Sequence, residues 1–418
     1  MTRHRARLCA AALAAFALTA TGCATKADDS GDTTQGGVKA GPGVTEKEIS
    51  LGVLSDLTGP FAASSKQQLA GAKLFWKAKN AEGGVCDRKV RLVVRDHHYD
   101  PQAAVSLYSE IEADILAVQM SVGAPTTSAI RPQLEQDDTL AVPMSFSPAL
   151  LDSNVLIAPG TTYDVEMVNA VDYLVETGKV AKGDSIGYIY LKGEYGEPGY
   201  EGASFAAKQH GIRITGQQVD PTAADVSTQV SGLKRAGVGA ILMSATPRQV
   251  ASAAAVASAQ GLDVPIVSAQ PGWAPELLDT GAAKALTDSL TVVSSVAPFG
   301  SSAEGPAHLR ELFEANQDDV PASWGMSFGY AVGDIMAQAL TSACESEDLT
   351  REGLRTAFQE KGSFALNGTI GDLDYSEQGQ SPSLKSFVLR PKPGVAGGLV
   401  EDRGGYTGPS VEGYLAQL

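Results

Sequence analysis

The residues able to do chemistry are few and poorly spaced for it. The five histidines are His4, His97, His98, His210 and His308. None falls in a His-Glu-x-x-His array, which would put two zinc ligands on one helix face. No phosphate-cradling Gly-x-x-x-x-Gly-Lys loop occurs, and no strand-to-helix nucleophile turn is expected. Gly237-Val238-Gly239 precedes a strand pattern rather than following one, so it fails as a dinucleotide loop. His97 and His98 are neighbours at a strand end and point to opposite faces, which suits a structural or exposed pair better than a ligand pair. Asp372, Asp374 and Ser376 alternate like a calcium loop, but its Gly and terminal Glu are misplaced. A chain of 418 residues without a catalytic triad, metal set or cofactor loop reads as a binder and not as an enzyme. No cofactor and no metal are expected.

The four cysteines divide by position. Arg3, Arg5 and Arg7 precede an apolar run, Leu8 to Ala20, interrupted only by Thr19. That run is too short to span a bilayer and reads as a secretory signal, residues 1–22. It ends in Leu18-Thr19-Ala20-Thr21-Gly22-Cys23, which looks like a bacterial lipobox, with Ala20 where the pattern prefers Leu. Cys23 is the expected lipidation site. Residues 23–46, poor in large apolar side chains, read as a tether that cannot fold alone. A flexible stretch of that size spans about 25 Å. Cys9 leaves with the leader. Cys86 and Cys344 remain, an even pair in an exported chain, and are expected to form a disulfide, the alternative being two buried thiols.

The remaining body alternates strand and helix. Apolar runs at 49–54, 90–95, 115–120 and 140–142 read as strands, with helices between them. One helix carries Leu69, Ala72, Phe75 and Trp76 on one side, and Trp76 is read as core. Asp100-Pro101 marks a helix start, because Asp caps free N–H groups and Pro needs none. The pattern restarts with strands at 185–190, 212–219, 240–243 and 264–267. Helices at about 304–316, 323–343 and 350–360 follow, and the Gly-rich tail after Pro391 gives little periodic signal. Two βα sets imply two α/β lobes with parallel sheets. Expected boundaries are 47–160 plus 295–375 for the first lobe and 161–294 plus 376–418 for the second.

Charge narrows the partners. Losing the three Arg of the leader takes the formal charge from −16 to −19. Such acidity argues against nucleic acid and against a basic patch on anionic lipid.

The segments ISLGVLSDLTGPF from Ile49, GAKLFWKAKNAEGGVCDRKVRLVVRDHHYDP from Gly71, VPMSFSPAL from Val142 and GEYGEPGY from Gly193 stand in an order that resembles the branched-chain amino-acid (Leu/Ile/Val-type) periplasmic binding proteins. These are the substrate-binding components of ABC importers. The likeness covers about 47–390. It implies a type I fold: two doubly wound parallel-sheet lobes joined by a three-stranded hinge, closing on a solute in the cleft. It also implies a monomer at the outer face of the cytoplasmic membrane, with ABC permease and ATPase subunits as partners. The alternative is a ligand-sensing ectodomain of the same fold.

Carried onto this chain, the resemblance proposes Leu57 and Phe61 in the first-strand loop, Ser121 and Gly123 at a helix start, and Met144, Ser145 and Phe146 after the fourth strand. From the second lobe it proposes Tyr195, Thr246, Gln270 and Trp273, and it adds Tyr330. Trp273 suits core packing as well as a ligand. Phe146 falls where amino-acid binders often carry a hydroxyl. Gln270 falls near the place of the acid that pairs a ligand ammonium, and a buried amine without that acid is costly. Two ligand readings therefore stand: Leu, Ile or Val, and a less zwitterionic amide, urea-like compound or apolar or aromatic carboxylate.

Overall fold

The computed structural model describes residues 33–35, 37–316 and 320–418. The leader and Cys23 lie outside them. In chain order, β1 (Thr33–Gln35) and β2 (Val38–Ala40) precede β3 (Glu48–Ser55), α1 (Ala62–Ala81), β4 (Lys89–Asp96), α2 (Pro101–Ile111), β5 (Ala117–Ser121), α3 (Ala124–Gln136) and β6 (Ala141–Pro143). Then come α4 (Tyr163–Glu176), β7 (Ser185–Leu191), α5 (Gly196–Gln209), β8 (Arg213–Val219), α6 (Ser227–Ala236), β9 (Ala240–Ser244), α7 (Pro247–Ala259), β10 (Ile266–Ala269), α8 (Ala283–Ser289) and β11 (Leu290–Ser294). The last part holds α9 (Glu304–Asn316), α10 (Trp324–Glu345), β12 (Asp348–Leu349), α11 (Arg351–Lys361), β13 (Ser363–Phe364), β14 (Leu373–Asp374), β15 (Ser386–Pro391), β16 (Leu399–Tyr406) and α12 (Val411–Leu415).

Two sheets organise these elements. The first is parallel, in the order β4-β3-β5-β6. Alternate residues of its strands face opposite ways, as the period of two requires. Leu51, Val53 and Ala117 join the core that includes α1 and α10, whereas Leu54 and Val118 pack with Tyr108, Ile111 and Ile130 of α2 and α3. Each such fully buried aliphatic side chain contributes about 1.5–3 kcal/mol. The second sheet runs β16-β15-β11-β10-β9-β7-β8, parallel except for β15 and β16. On β7 the same alternation sets Gly187 against Leu233 of α6 and Tyr188 against Gly199 of α5.

Helices α1 and α10 cross almost backbone to backbone. A Cβ on Gly71 would stand 2.0 Å from the Met326 carbonyl oxygen, and one on Gly329 would stand 1.8 Å from that of Gln68. Only glycine permits this approach. It brings the first turns of α1 beside the first turns of α10. Cys86, just beyond α1, is bonded to Cys344 in α10, with the Cα atoms 6.0 Å apart, within the usual range.

The chain passes between the sheets three times, near 158–162, 295–298 and 375–385. Thr161 ties the passages together. Its hydroxyl donates to the Lys385 carbonyl at 2.6 Å, and its own carbonyl accepts from the Ser295 hydroxyl at 3.0 Å.

Several expectations need correction. The tether was to extend to residue 46, but β2 pairs with β1 and with β12, and Ala40 and Val44 are buried. The Lys39 and Gly41 amides donate to the carbonyls of Glu347 and Leu349. A segment too polar to fold alone can still add to an existing edge. Helices α3 and α5 begin at Ala124 and Gly196, each with a proline in its first turn, where no N–H partner is needed. Helix α4 goes unannounced by the apolar pattern. It is almost wholly buried and yet carries Asp164, Glu166, Asn169 and Asp172. Those polar residues serve internal bonds: Asn169 Nδ2 donates to the Leu384 carbonyl, and Asp172 accepts from the amide and hydroxyl of Ser410. They anchor the tail, where β15 and β16 form a hairpin at the sheet edge.

The Cys86–Cys344 bond closes a separation of 258 residues. Removing a native disulfide costs about 2–5 kcal/mol. The protein should therefore melt at a clearly lower temperature in reductant, and Cys86→Ser should melt low with or without it. Identical melting curves would show that the bond contributes nothing.

Candidate functional site

Strand ends of both lobes converge on one cavity. After β3, the Asp56 carboxylate accepts the amides of Gly59 at 2.5 Å and Phe61 at 2.8 Å, which fixes Phe61 at the start of α1. After β4, His97 Nδ1 accepts the Tyr99 amide at 3.0 Å. His98 and Tyr99 both take positive φ, 54° and 63°, a conformation that side chains other than glycine hold only under constraint. This turns Tyr99 onto the loop after β5, where a Cβ on Gly123 would stand 2.6 Å from its ring. Gly123, at φ 97°, opens α3, and the Ala124 amide has no intrahelical partner.

Seven aromatic rings surround the space in a continuous chain. Tyr99 lies 5.0 Å from Phe61, Phe61 6.4 Å from Tyr195, and Tyr195 4.9 Å from Tyr163. Tyr163 lies 5.7 Å from Phe146, which stacks on Phe328 at 5.1 Å, and Trp324 lies 6.2 Å beyond. The cavity is narrow, with a volume of about 40 Å³, and it is partly open to solvent. Among the described residues that line it there is no Asp, Glu, Lys, Arg or His. Polar lining comes from Ser64, Ser65 and Gln68 of α1, from Ser145, and from backbone.

The lobes meet around this cavity. Ser128 donates to Glu194 at 2.7 Å, Gln67 donates to Glu276 at 2.8 Å, and the Trp324 indole donates to the Trp273 carbonyl at 2.9 Å. A second buried acid, Glu166, sits at the passages between lobes. A Cβ on Gly160 would meet both Phe146 and Ser295, and the Ser295 hydroxyl is 2.8 Å from Glu166 Oε1. Burial pushes the Glu166 carboxyl up to about 8, with Asp164 adding to the shift. Tyr163, Tyr188 and Tyr195 also face it. A protonated Glu166 resolves a geometric problem. The single Ser295 proton cannot serve both Glu166 and Thr161, but a Glu166 that donates to Ser295 frees that proton for the Thr161 carbonyl.

A sequence model described as "Periplasmic binding protein" matches residues 48–396. The chain belongs to the periplasmic binding protein family. Its curated relatives include Leu/Ile/Val-binding proteins. Leu/Ile/Val-binding protein homolog 1 of Brucella abortus is 24% identical over 352 residues, 82% of this chain and 90% of that protein. Homolog 3 of Brucella melitensis is 31% identical over 198 residues, 46% of this chain and about half of that protein, 52%. Among solved structures, a fatty acid ABC transporter substrate-binding protein from Thermomonospora curvata is 35% identical, with a TM-score of 0.88, over 90% of this chain and 97% of that one. A branched-chain amino acid ABC transporter protein from Thermus thermophilus with bound valine shares the fold, with a TM-score of 0.78 at 18% identity, over 90% of this chain and 99% of that one. The fold is thus the type I periplasmic-binding-protein fold. The family binds solutes rather than transforming them and works outside the cytoplasm.

The structure brings together part of the expected ligand set. Phe61, Gly123, Met144, Ser145, Phe146 and Tyr195 line the cavity. Leu57 stands half-buried in its loop and does not line it. The Ser121 hydroxyl is held by Thr127 at 2.7 Å, inside the lobe. Thr246 caps α7, accepting from the Gln249 amide. Gln270 is buried one residue short of the lining Pro271, and its Oε1 accepts from Ser294 at 2.5 Å. Trp273 is fully buried core. Tyr330 lines a separate surface groove with Asp334. Unforeseen lining residues are Ser64, Ser65, Gln68, Tyr99, Tyr163, Trp324 and Phe328. Trp324 and Phe328, at i and i+4, look like an ordinary core stripe. The serines and Gln68 extend the buried face of α1 that carries Leu69, Ala72, Phe75 and Trp76.

One catalytic spelling does occur. Gly325-Met326-Ser327-Phe328-Gly329 has the letters of a nucleophile turn, but Ser327 lies inside α10, buried, donating to the Ser323 carbonyl. A nucleophile turn needs its serine at a sharp strand-to-helix bend. Among the described residues no group of three or more metal-ligating side chains occurs, and no helix is long and apolar enough to cross a membrane.

The raised Glu166 carboxyl makes stability fall with pH. Its contribution is complete below the ordinary glutamate value near 4.5 and is lost as the pH climbs through about 8. Glu166→Gln stays neutral throughout. Thermal melts from pH 5 to 9 should show the variant losing less stability than the wild-type protein. Parallel curves would exclude Glu166 as the titrating group.

Proposed function

We propose that this protein is the lipid-anchored, monomeric solute receptor of an ABC importer, and that its ligand is an apolar or aromatic carboxylate. It closes on that ligand and presents it to a membrane permease with its ATPase. The observation that carries the ligand reading is the lining itself: seven aromatic rings and no charged side chain. An amino acid brings an ammonium that would be buried without a counter-charge, at a cost of several kcal/mol. A carboxylate needs only N–H and O–H donors, which the Gly123–Ala124 turn and Ser145 offer. The aromatic walls then take the apolar remainder. The Thermomonospora curvata relative, named for fatty acid transport, agrees with this class. The Leu/Ile/Val-binding relatives agree with the general role.

A thermal-shift screen tests the reading directly. A ligand at a hundred times its Kd adds about 2.7 kcal/mol. Octanoate, phenylacetate or benzoate should raise the melting temperature, and leucine, isoleucine and valine should leave it unmoved. The opposite pattern would restore the amino-acid ligand. In the same assay Tyr195→Ala should fold normally and bind the active carboxylate at least tenfold more weakly. Unchanged affinity would remove Tyr195 from the site.

A further inference from the structure

Two cavity residues on α1 are left without partners by the protein itself. Ser64, Ser65 and Gln68 all face the cavity. Serines in helices commonly satisfy their hydroxyl on the carbonyl one turn back. Ser64 does so, donating to the Phe61 carbonyl at 3.0 Å. That same carbonyl also accepts the Ser65 amide at 3.0 Å. A carbonyl oxygen has two lone pairs, so the Phe61 carbonyl has none left for the Ser65 hydroxyl. Ser65 is fully buried, and its Oγ has no hydrogen-bond partner among the described residues. One turn further, Gln68 is 4% exposed, and its Oε1 likewise has none. Helix α1 cannot shift to relieve either atom, because the Gln68 carbonyl is pressed against Gly329 of α10.

We propose that Ser65 and Gln68 form a second polar recognition point, and that the ligand carries a hydroxyl or carboxamide in addition to its carboxylate. The inference rests on the carboxylate reading above and narrows it. The complementarity is specific. Gln68 Oε1 calls for a donor, while the Ser65 hydroxyl can donate or accept. One hydroxyl satisfies both, donating to Gln68 and accepting from Ser65. A bare methyl or ring edge at the same place satisfies neither and keeps both atoms dry and unpaired. Sites built to bond a hydroxyl reject analogues lacking it far more strongly than apolar pockets reject an added group. The two atoms also lie apart from the carboxylate donors in the fold. Ser65 and Gln68 belong to the α1–α10 contact beside Trp324 and Phe328, whereas Gly123 lies under Tyr99.

Titration calorimetry on the full protein with matched pairs decides the matter. The pairs are octanoate against 8-hydroxyoctanoate and phenylacetate against 4-hydroxyphenylacetate. In at least one pair the hydroxylated member should bind about tenfold or more tightly, the effect of one buried hydrogen bond made rather than missed. In Ser65→Ala/Gln68→Leu that preference should vanish or invert. Should that variant not fold, Gln68→Met with Ser65 retained should still reduce the preference. Equal or tighter binding of both plain acids by the wild-type protein would overturn the proposal, as would a preference that survives in the variants. Those results leave the carboxylate reading standing. Failure of all four compounds to bind would remove the carboxylate reading and this inference with it.

Discussion

The two-lobed arrangement depends on one residue's hydrogen bonds more than on any other local feature. Thr161 sits where the chain leaves the first sheet, and it holds both of the later passages: the third through its hydroxyl to Lys385, the second through its carbonyl from Ser295. The next amide, Thr162, donates to the Ser381 hydroxyl at 3.0 Å. Segments leaving a sheet lose their ladder partners, and buried backbone groups must find others. Here the three passages satisfy one another and form a single layer. Any rotation of one lobe against the other has to pivot on that layer. The lining residues then travel as two sets, with Tyr163, Tyr195 and Pro271 on one side and Phe61, Tyr99, Phe146, Trp324 and Phe328 on the other.

Each set is rigid for its own reason. On the first lobe, the glycine-lined crossing of α1 and α10 and the Cys86–Cys344 bond hold the polar and aromatic lining of two helices in fixed register. On the second, α4 is a buried strut whose polar residues bind the tail rather than water. Asp172, with no exposed side chain, takes the Ser410 amide and hydroxyl and His210 Nε2 at 2.6 Å. Breaking one such partner leaves the other buried and unpaired, which costs more than the bond itself contributes. Tyr163 begins this strut, so its ring position is inherited from contacts as far off as the last helix.

Strands were legible because each is a short apolar run ended by turn residues, as at 49–54 and 240–243. What was illegible follows from burial of the wrong type. Helix α4 hid because it is buried on all sides and polar within, so it shows no one-sided stripe. The β15–β16 hairpin hid because an edge ribbon rich in Gly and charge, such as Glu401-Asp402-Arg403-Gly404, has a weak alternation. In the site, loops were legible through motif likeness, which found Phe61, Gly123, Phe146 and Tyr195. Helix-borne lining was not, since Trp324 and Phe328 obey the same spacing that core packing demands. Trp273, which suited core packing and a ligand contact alike, is the converse case: an aromatic in a loop whose ring is buried in the core.

A net charge of −16 would repel an anionic ligand at long range. Distance and screening remove the conflict. At physiological salt the field of surface charges decays over about 8 Å, so exposed carboxylates act weakly on an enclosed cavity. The carboxylates close to it are engaged. Asp56 is covered by the Gly59 and Phe61 amides, and Glu194 is paired with Ser128. Glu166, whose carboxyl burial pushes up to about 8, is mostly protonated at pH 7 and adds little repulsion. What remains at the cavity wall is the positive end of α3 and a set of hydroxyls, in surroundings of low polarity where such donors count for most. The same surroundings disfavour an ammonium, which would find rings and donors but no carboxylate within the lining. On the carboxylate reading proposed above, selection against zwitterions follows from what the wall omits, and the acidic exterior plays no part in it.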